Sequence, residues 1–240
     1  MSQNGSCRTG HSEEDSVKPV DLEAIYAKTP LRDIPWDMAT PPEALVNLVE
    51  SGQVRCGKAV DFGCGGGNYS IYLARQGFDV TGVDLSPTAI GIARERARQQ
   101  GVKCDFLTAD VLGDLKELPG TFDFAFDWEL LHHLFPEQRT RYVRNVWEKL
   151  APRGLYLSLC FSEQDPQFGG SGKCRETSLG TLLYFSSEDE LRDLFAPGFE
   201  VRELKTIQIQ GKHAPHLAIC AFMQKKRHRG SADHGGRFDA

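Results

Sequence analysis

Residues Asp61 to Asn68 read Asp-Phe-Gly-Cys-Gly-Gly-Gly-Asn directly after the apolar pair Ala59-Val60, and Val80-Thr-Gly-Val-Asp84 follows one helix-length later. Glycine adopts positive φ and leaves its amide bare, so Gly63, Gly65, Gly66 and Gly67 let a ligand touch backbone. A turn of this kind usually opens a helix. In dinucleotide sites its spacing is Gly-x-Gly-x-x-Gly, with the phosphates on the helix N-terminus. Here Asn68 stands at the third glycine position, and Asp61 lies two residues before the first. A carboxylate there repels a pyrophosphate and attracts a ligand bearing an ammonium and a sulfonium. S-adenosylmethionine bears both and is the expected cofactor. Asp84 does not discriminate, because a ribose-binding acid about 20 residues downstream is expected for NAD as well.

A second group of reactive residues is Asp127-Trp-Glu129-Leu-Leu-His132-His133. His132 and His133 are the candidate catalytic bases, since imidazole titrates near neutral pH. Packing or capping is the competing role for both, and Glu129 ranks no higher. His213, His216 and Cys220 have a metal-like spacing, but Pro215 and the alternating pattern after it make a compact tetrahedral site awkward, and no metal is expected. Seven cysteines without a Cys-x-x-Cys pair read as reduced thiols.

The elements that position these residues alternate in type. Residues 59–63, 80–85, 104–108, 122–127 and 155–161 are short apolar runs that read as buried parallel strands. Helices are predicted over 69–76, 89–100 and 136–150, giving a βαβαβ order with right-handed crossovers. Residues 162–184 form a long polar, glycine-rich connection from which Arg175, Glu176 and Tyr184 are candidates to reach a substrate. A short helix ending near Phe195 and an antiparallel hairpin over 199–224 close the pattern. The predicted organisation is a polar disordered tail at 1–18, a domain at 19–224 with an N-terminal helical cover at 41–51, and a basic disordered tail at 225–240.

The 240 residues suit one α/β domain, and 40% apolar residues with a net charge of −5 describe an ordinary soluble chain. Nothing in that charge favours a nucleic-acid backbone as partner. No apolar run approaches the roughly 18 residues that span a bilayer, and the N-terminus is not signal-like, so a cytoplasmic location is expected. Oligomeric state has no signature in the sequence.

The glycine loop, the ribose acid and the terminal hairpin together resemble the class I S-adenosylmethionine-dependent methyltransferases over about residues 35–224. The resemblance implies a Rossmann-like, seven-stranded, mostly parallel sheet with a terminal antiparallel hairpin and helices on both faces. It also implies that Asp61, Gly63 and Gly65 hold the methionine end and that Asp84, with Leu85 beside it, binds the ribose hydroxyls. Asp110 and Val111 would meet the adenine, and Asp127 would belong to the fourth signature. Each acid has a plainer role open to it: Asp61 or Asp84 as a helix cap, Asp110 in a turn. Their recurrence at successive strand ends is where open α/β sheets bind ligands.

Ile34-Pro-Trp36-Asp37 resembles the entry segment of the thiopurine, thiol and halide methyltransferases, which would place Trp36 against the sulfonium. Pinning the N-terminal segment to the core is the other role open to Trp36. The activity implied is methyl transfer to a small-molecule acceptor such as sulfur, halide or a metalloid, by in-line displacement. A cofactor-binding protein without turnover and an NAD-dependent oxidoreductase are the alternatives. The missing third glycine and Asp61 argue against the latter.

Overall fold

Parallel strands buried on both faces must be apolar almost throughout, and the chain supplies five in succession. In the computed structural model, which describes residues 21–168 and 172–227, these are β1 (Lys58–Phe62), β2 (Asp79–Asp84), β3 (Asp105–Thr108), β4 (Phe122–Trp128) and β5 (Leu150–Phe161). They pair in parallel in the order β3-β2-β1-β4-β5. β6 (Cys174–Glu176) and β7 (Leu182–Tyr184) form a separate two-stranded antiparallel sheet. β8 (Phe199–Gln210) and β9 (Pro215–Lys225) complete the seven-stranded sheet, β9 running antiparallel between β5 and β8. The expected sheet and terminal hairpin are thus present.

Six α-helices lie among the described residues: α1 (Leu22–Lys28), α2 (Glu43–Glu50), α3 (Asn68–Arg75), α4 (Pro87–Gln99), α5 (Pro136–Lys149) and α6 (Glu188–Phe195). α5 and α6 set Tyr142, Val146 and Phe195 against Phe62 and Tyr156 on one face of the sheet. α2 and α3 set Leu45, Leu48 and Leu73 against Phe124 and Leu157 on the other. The helix starts follow local chemistry. Ser86 Oγ accepts the Ala89 N–H at 3.0 Å ahead of Pro87, and Ser187 with Glu190 closes a capping box on α6. Among the described residues no helix is long and apolar enough to cross a membrane.

Strand register brings the chemistry together. Phe62 pairs with Val83 and with Asp127, and Asp84 with Thr108, so β1, β2, β3 and β4 end along one edge of the sheet.

The turn between β3 and β4 is fixed by Asn145 on α5, whose amide donates to the Val111 and Gly113 carbonyls at 2.8 Å each. Several expectations need correction. The 162–184 connection carries the β6–β7 hairpin. Lys225 is no tail residue, for it ends β9, donates to the Leu150 carbonyl at 2.6 Å and lies 4.0 Å from the Trp147 ring centroid. Residues 1–18 and 228–240 of the predicted tails lie outside the described residues. Cys56, Cys64, Cys104, Cys160 and Cys220 are free thiols, whereas Cys174, expected to be reduced, is disulfide-bonded.

Leu157, fully buried on central strand β5, tests how far the core depends on this packing. Leu157→Ala is expected to lower unfolding stability by about 2–5 kcal/mol through lost transfer energy and the cavity left behind. Urea unfolding should show it as a lower midpoint at unchanged slope.

Candidate active site

The loop after β1 is shaped by contacts that exclude side chains. Gly65 has φ +51°, and a Cβ there would stand 2.5 Å from Tyr26 Oη. Gly67, with φ +78°, caps α3, and its Cβ would fall 2.7 Å from Ala93 Cβ. The Gly63 and Cys64 amides donate to the Val83 carbonyl at 2.7 and 3.0 Å, locking the loop to the end of β2. Asp84 continues the lock: its carboxylate accepts from the Gly65 N–H and the Ser86 N–H, each at 2.9 Å.

A cavity of about 80 Å³ opens over this loop, with Asp61, Gly63, Gly65, Asp84, Tyr69 and Trp36 in its wall. Asp61 is 2% exposed and accepts the Ser70 hydroxyl at 2.6 Å. Burial first, then the nearby Asp84 and Asp127 charges, pushes its pKa up to about 7. Asp84 is likewise raised, chiefly by desolvation. Asp37 also faces the cavity but is neutralised by Arg96, which donates bidentately at 2.7 Å to each oxygen and at 3.1 Å to the Gly66 carbonyl. Asn68, the residue in place of the third glycine, donates to Asp37 Oδ1 and to the Met38 carbonyl at 3.2 and 3.0 Å.

The entry segment is therefore a cover, clamped from two sides. Lys212, at the β8–β9 turn, donates to the Ile34 carbonyl at 2.8 Å and to the Leu31 and Asp37 carbonyls at 3.4 Å each. Trp36 Nε1 donates to Tyr26 Oη at 2.8 Å, and α1 is tied to the start of α4 by Glu23, whose carboxylate accepts from Ser86 and Thr88. Tyr26, Arg96 and Lys212 carried no motif. They meet the loop only through long-range packing, and Asp37 was legible solely as part of the Pro-Trp-Asp segment.

Other expected residues sit elsewhere. Leu85, Asp110 and Val111 lie outside the cavity wall: Leu85 is 62% exposed, Asp110 accepts the Leu112 N–H at 2.8 Å in a turn, and Val111 is buried in the core. Asp127 is a correction. Its carboxylate is fully buried in the core, accepting from Tyr142 at 2.9 Å, Ser158 at 3.0 Å and Tyr156, and it does not face the cavity. Burial raises it to about 6.

A second cavity of about 350 Å³ adjoins the first. His132, Phe161, Phe168 and His216 give it aromatic walls, and residues of the β6–β7 turn such as Thr177 and Leu179 close it. His132 stacks on Phe161 at 4.2 Å between centroids, and its Nδ1 accepts the Phe161 N–H at 3.4 Å. Burial holds His132 well below the usual histidine range and His133 down to about 4, so both rings are neutral at pH 7. Arg139, buried behind them, fixes their turn by donating to the Leu134 and Leu131 carbonyls at 2.7 and 3.0 Å and to Ser186 Oγ at 2.7 Å.

His213 and His216 line this cavity too, and among the described residues no group of three His, Cys, Asp or Glu side chains is arranged to hold a metal ion. Arg175 does not reach it: its guanidinium gathers the Glu163, Asp165, Gln167 and Gly172 carbonyls and organises its own loop. Tyr184 is held by Glu190 at 2.8 Å, and neither it nor Glu176 is in the wall.

Three residues belong to both cavities: Trp36, Glu129 and His133. Trp36 and His133 meet edge-to-face at 6.2 Å. Glu129 has φ +68°, and burial raises its carboxyl to about 7. In the sequence Glu129 ranks no higher than the histidines, because the left-handed turn that sets it in both cavity walls has no mark in composition or spacing.

The acids test whether the cofactor fits. Asp61, Asp84 and Glu129 share one partly enclosed cavity with no cation among the described residues paired to them, which suits a ligand bearing positive charge and disfavours a pyrophosphate. Asp61 also gives the free protein a pH signature. A folded-state pKa near 7 against about 3.9 unfolded means that its contribution to stability is complete below pH ~4 and is lost as pH rises through ~7. The melting temperature of the ligand-free protein should therefore fall between pH 5 and pH 8, and Asp61→Asn should flatten that fall. An unchanged slope in scanning calorimetry would contradict the assignment.

Known proteins agree with this picture. Residues 59–154 match a family described as "Methyltransferase domain". The 2-heptyl-1-hydroxyquinolin-4(1H)-one methyltransferase of Mycobacteroides abscessus is 29% identical over 160 residues, covering 65% of this chain and 70% of that protein. Thiocyanate methyltransferase 1 of Brassica oleracea is 27% identical over 180 residues, covering 68% and 76%. A solved structure described as converting a disulfide bond into a thioacetal group in echinomycin biosynthesis superposes with a TM-score of 0.73 at 26% identity, covering 88% of this chain and 94% of that one. With the glycine loop, the acids at the strand ends and the inserted antiparallel strand, these matches make the chain a class I S-adenosylmethionine-dependent methyltransferase.

Proposed function

We propose that the enzyme methylates an oxygen, nitrogen or sulfur atom of a small, flat organic molecule held in the second cavity. The carrying observation is the wall of Trp36, Glu129 and His133 common to both cavities, which provides one place where a methyl donor and an acceptor can meet. Bound S-adenosylmethionine supplies a methyl group on a sulfonium. The protein's task is to align the acceptor about 3–3.5 Å from that carbon and to keep water out.

The expected acceptors divide on the second cavity. At about 350 Å³ it falls in the range of small-ligand pockets, and a halide or a metalloid oxyanion would leave most of it unfilled. Aromatic walls at Phe161, Phe168, His132 and His216 favour a ring system. A sulfur nucleophile carried on such a ring fits as well as a hydroxyl does. Relatives whose names specify a hydroxyquinolone and thiocyanate span the same range of nucleophiles. A small organic substrate also accords with the acidic net charge, which gives no support to a nucleic acid, and with cytoplasmic work on a diffusible metabolite.

On the donor side, Asp61 would face the ammonium, and the Gly63 to Gly65 backbone would hold the methionine end. Each Asp84 oxygen accepts one amide proton in the protein and keeps acceptor capacity for the ribose hydroxyls. Exposed Leu85, with Asp110 and the Val111 backbone just past the neighbouring strand end, would take the adenine, the Val111 side chain staying in the core. Trp36 has spent its N–H on Tyr26, so its ring is what remains to meet the sulfonium.

Asp84→Ala is expected to raise the dissociation constants of S-adenosylmethionine and S-adenosylhomocysteine alike by at least about tenfold, from charge-assisted bonds worth about 1.5–3 kcal/mol each. Isothermal calorimetry measures both, with NAD as a non-binding control. S-adenosylhomocysteine release should then be followed with aryl hydroxyls, hydroxyquinolones, aryl thiols, iodide, thiocyanate and tellurite. Aromatic acceptors should exceed iodide in kcat/KM by about 100-fold or more, a difference of about 2.7 kcal/mol. Preference for the inorganic ions would refute the proposal, and cofactor binding with no turnover of any acceptor would point to a binding protein.

A further inference from the structure

We infer that Glu129 is the general base of the reaction, taking the acceptor's proton at the wall shared by the two cavities. This rests on the proposed organic acceptor. Glu129 is the first residue past β4, its N–H held by the Leu159 carbonyl at 2.9 Å. Its φ of +68° is a left-handed conformation that glutamate rarely adopts, held here at the end of the strand. That conformation ends the strand's alternation at the residue lining both cavities.

The carboxylate receives no hydrogen bond or ion pair from any described residue, although it is partly buried. Its neighbours are otherwise committed. From the donor side, Asp37 is paired to Arg96, Asp84 holds two amides, Asp61 holds Ser70, and Tyr69 is a neutral phenol. From the acceptor side, Lys212 is spent on three carbonyls and His132 Nδ1 on the Phe161 amide, while His216 Nδ1, buried without a hydrogen-bond partner, stands 3.3 Å from Asp165 and lines only the second cavity. His213, His216 and His132 do not reach the donor cavity. His133 does, but at about 4 it is a weak base at neutral pH. Burial instead brings Glu129 to about 7, close to the value at which a general base works best.

The step balances within the site. The acceptor's proton passes to a Glu129 oxygen, and the freed electron pair forms the bond to the methyl carbon. The pair of the broken carbon–sulfur bond stays on sulfur, and Glu129 later releases the proton to solvent. The base is needed only when the acceptor arrives protonated.

Two acceptors of similar size separate this role from a structural one: an aryl hydroxyl that is neutral at pH 8 and an aryl thiol that is ionised there. Glu129→Gln should lower kcat/KM for the hydroxyl by about 10²–10⁴-fold and for the thiolate by less than about fivefold. The wild-type rate with the hydroxyl should rise as pH passes about 7, a limb kept by Glu129→Asp and lost in Glu129→Gln. Apart from turnover, infrared titration of the ligand-free protein between pH 5 and pH 9 should show one fewer titrating carboxyl in Glu129→Gln than in wild type. Equal losses with both acceptors, or an unchanged infrared titration, would overturn the role of Glu129 while leaving the organic acceptor standing. Failure of the wild type to methylate either would overturn the reading beneath it.

Discussion

Four carboxylates face one small cavity, and among the described residues only Asp37 has a cation beside it. Burying negative charge without a partner is costly, and the protein answers partly by holding protons: Asp61 and Glu129 both sit near neutrality rather than in the usual carboxylate range. The rest of the donor site follows from that constraint. Bare glycine backbone brings the ligand close, parallel strands end together to aim the acids, and the N-terminal segment closes over them. A positively charged ligand offsets the cost of burying these carboxylates together.

The donor half was readable because its signals are local. Strand runs, the glycine turn and the acids at 61 and 84 lie within short windows, and hydrophobic periodicity set the neighbouring helices. What escaped has specific causes. Three-residue strands such as β6 and β7 leave no periodic pattern, so the 162–184 segment read as loop. Asp127 and Glu129 differ by two positions and share a charge, but a positive φ decides that one joins the core and the other the cavities. Backbone handedness at a glutamate has no compositional mark. Arg96 and Lys212 are ordinary surface-type residues until folding brings them to the cover from 59 and roughly 175 positions away.

Neutral histidines suit the place they occupy. His132 and His133 are desolvated, His132 stacked on Phe161 and His133 edge-to-face with Trp36, and buried Arg139 further disfavours charge on His132. Imidazolium beside a sulfonium would repel it, whereas a neutral ring adds an apolar wall. The same desolvation that makes the histidines weak bases makes Glu129 a stronger one, because burial disfavours the charged form of each. One environment therefore separates the roles of adjacent acid and imidazole groups.

The two cavities also divide along the chain. The family match runs from residue 59 to 154 and so contains the glycine loop, Asp84, Glu129 and both histidines, but stops before Phe161, Phe168, the β6–β7 turn and His216. Those later residues, with the cover at Pro35 and Trp36, form most of the second cavity's wall. Proteins whose names specify different acceptors match this chain at 29% and 27% identity over 160 and 180 residues. Displacement at a methyl carbon needs alignment and dryness more than a fixed set of catalytic groups. The segments outside the family match meet the first cavity only through Trp36, Glu129 and His133, the residues common to both walls.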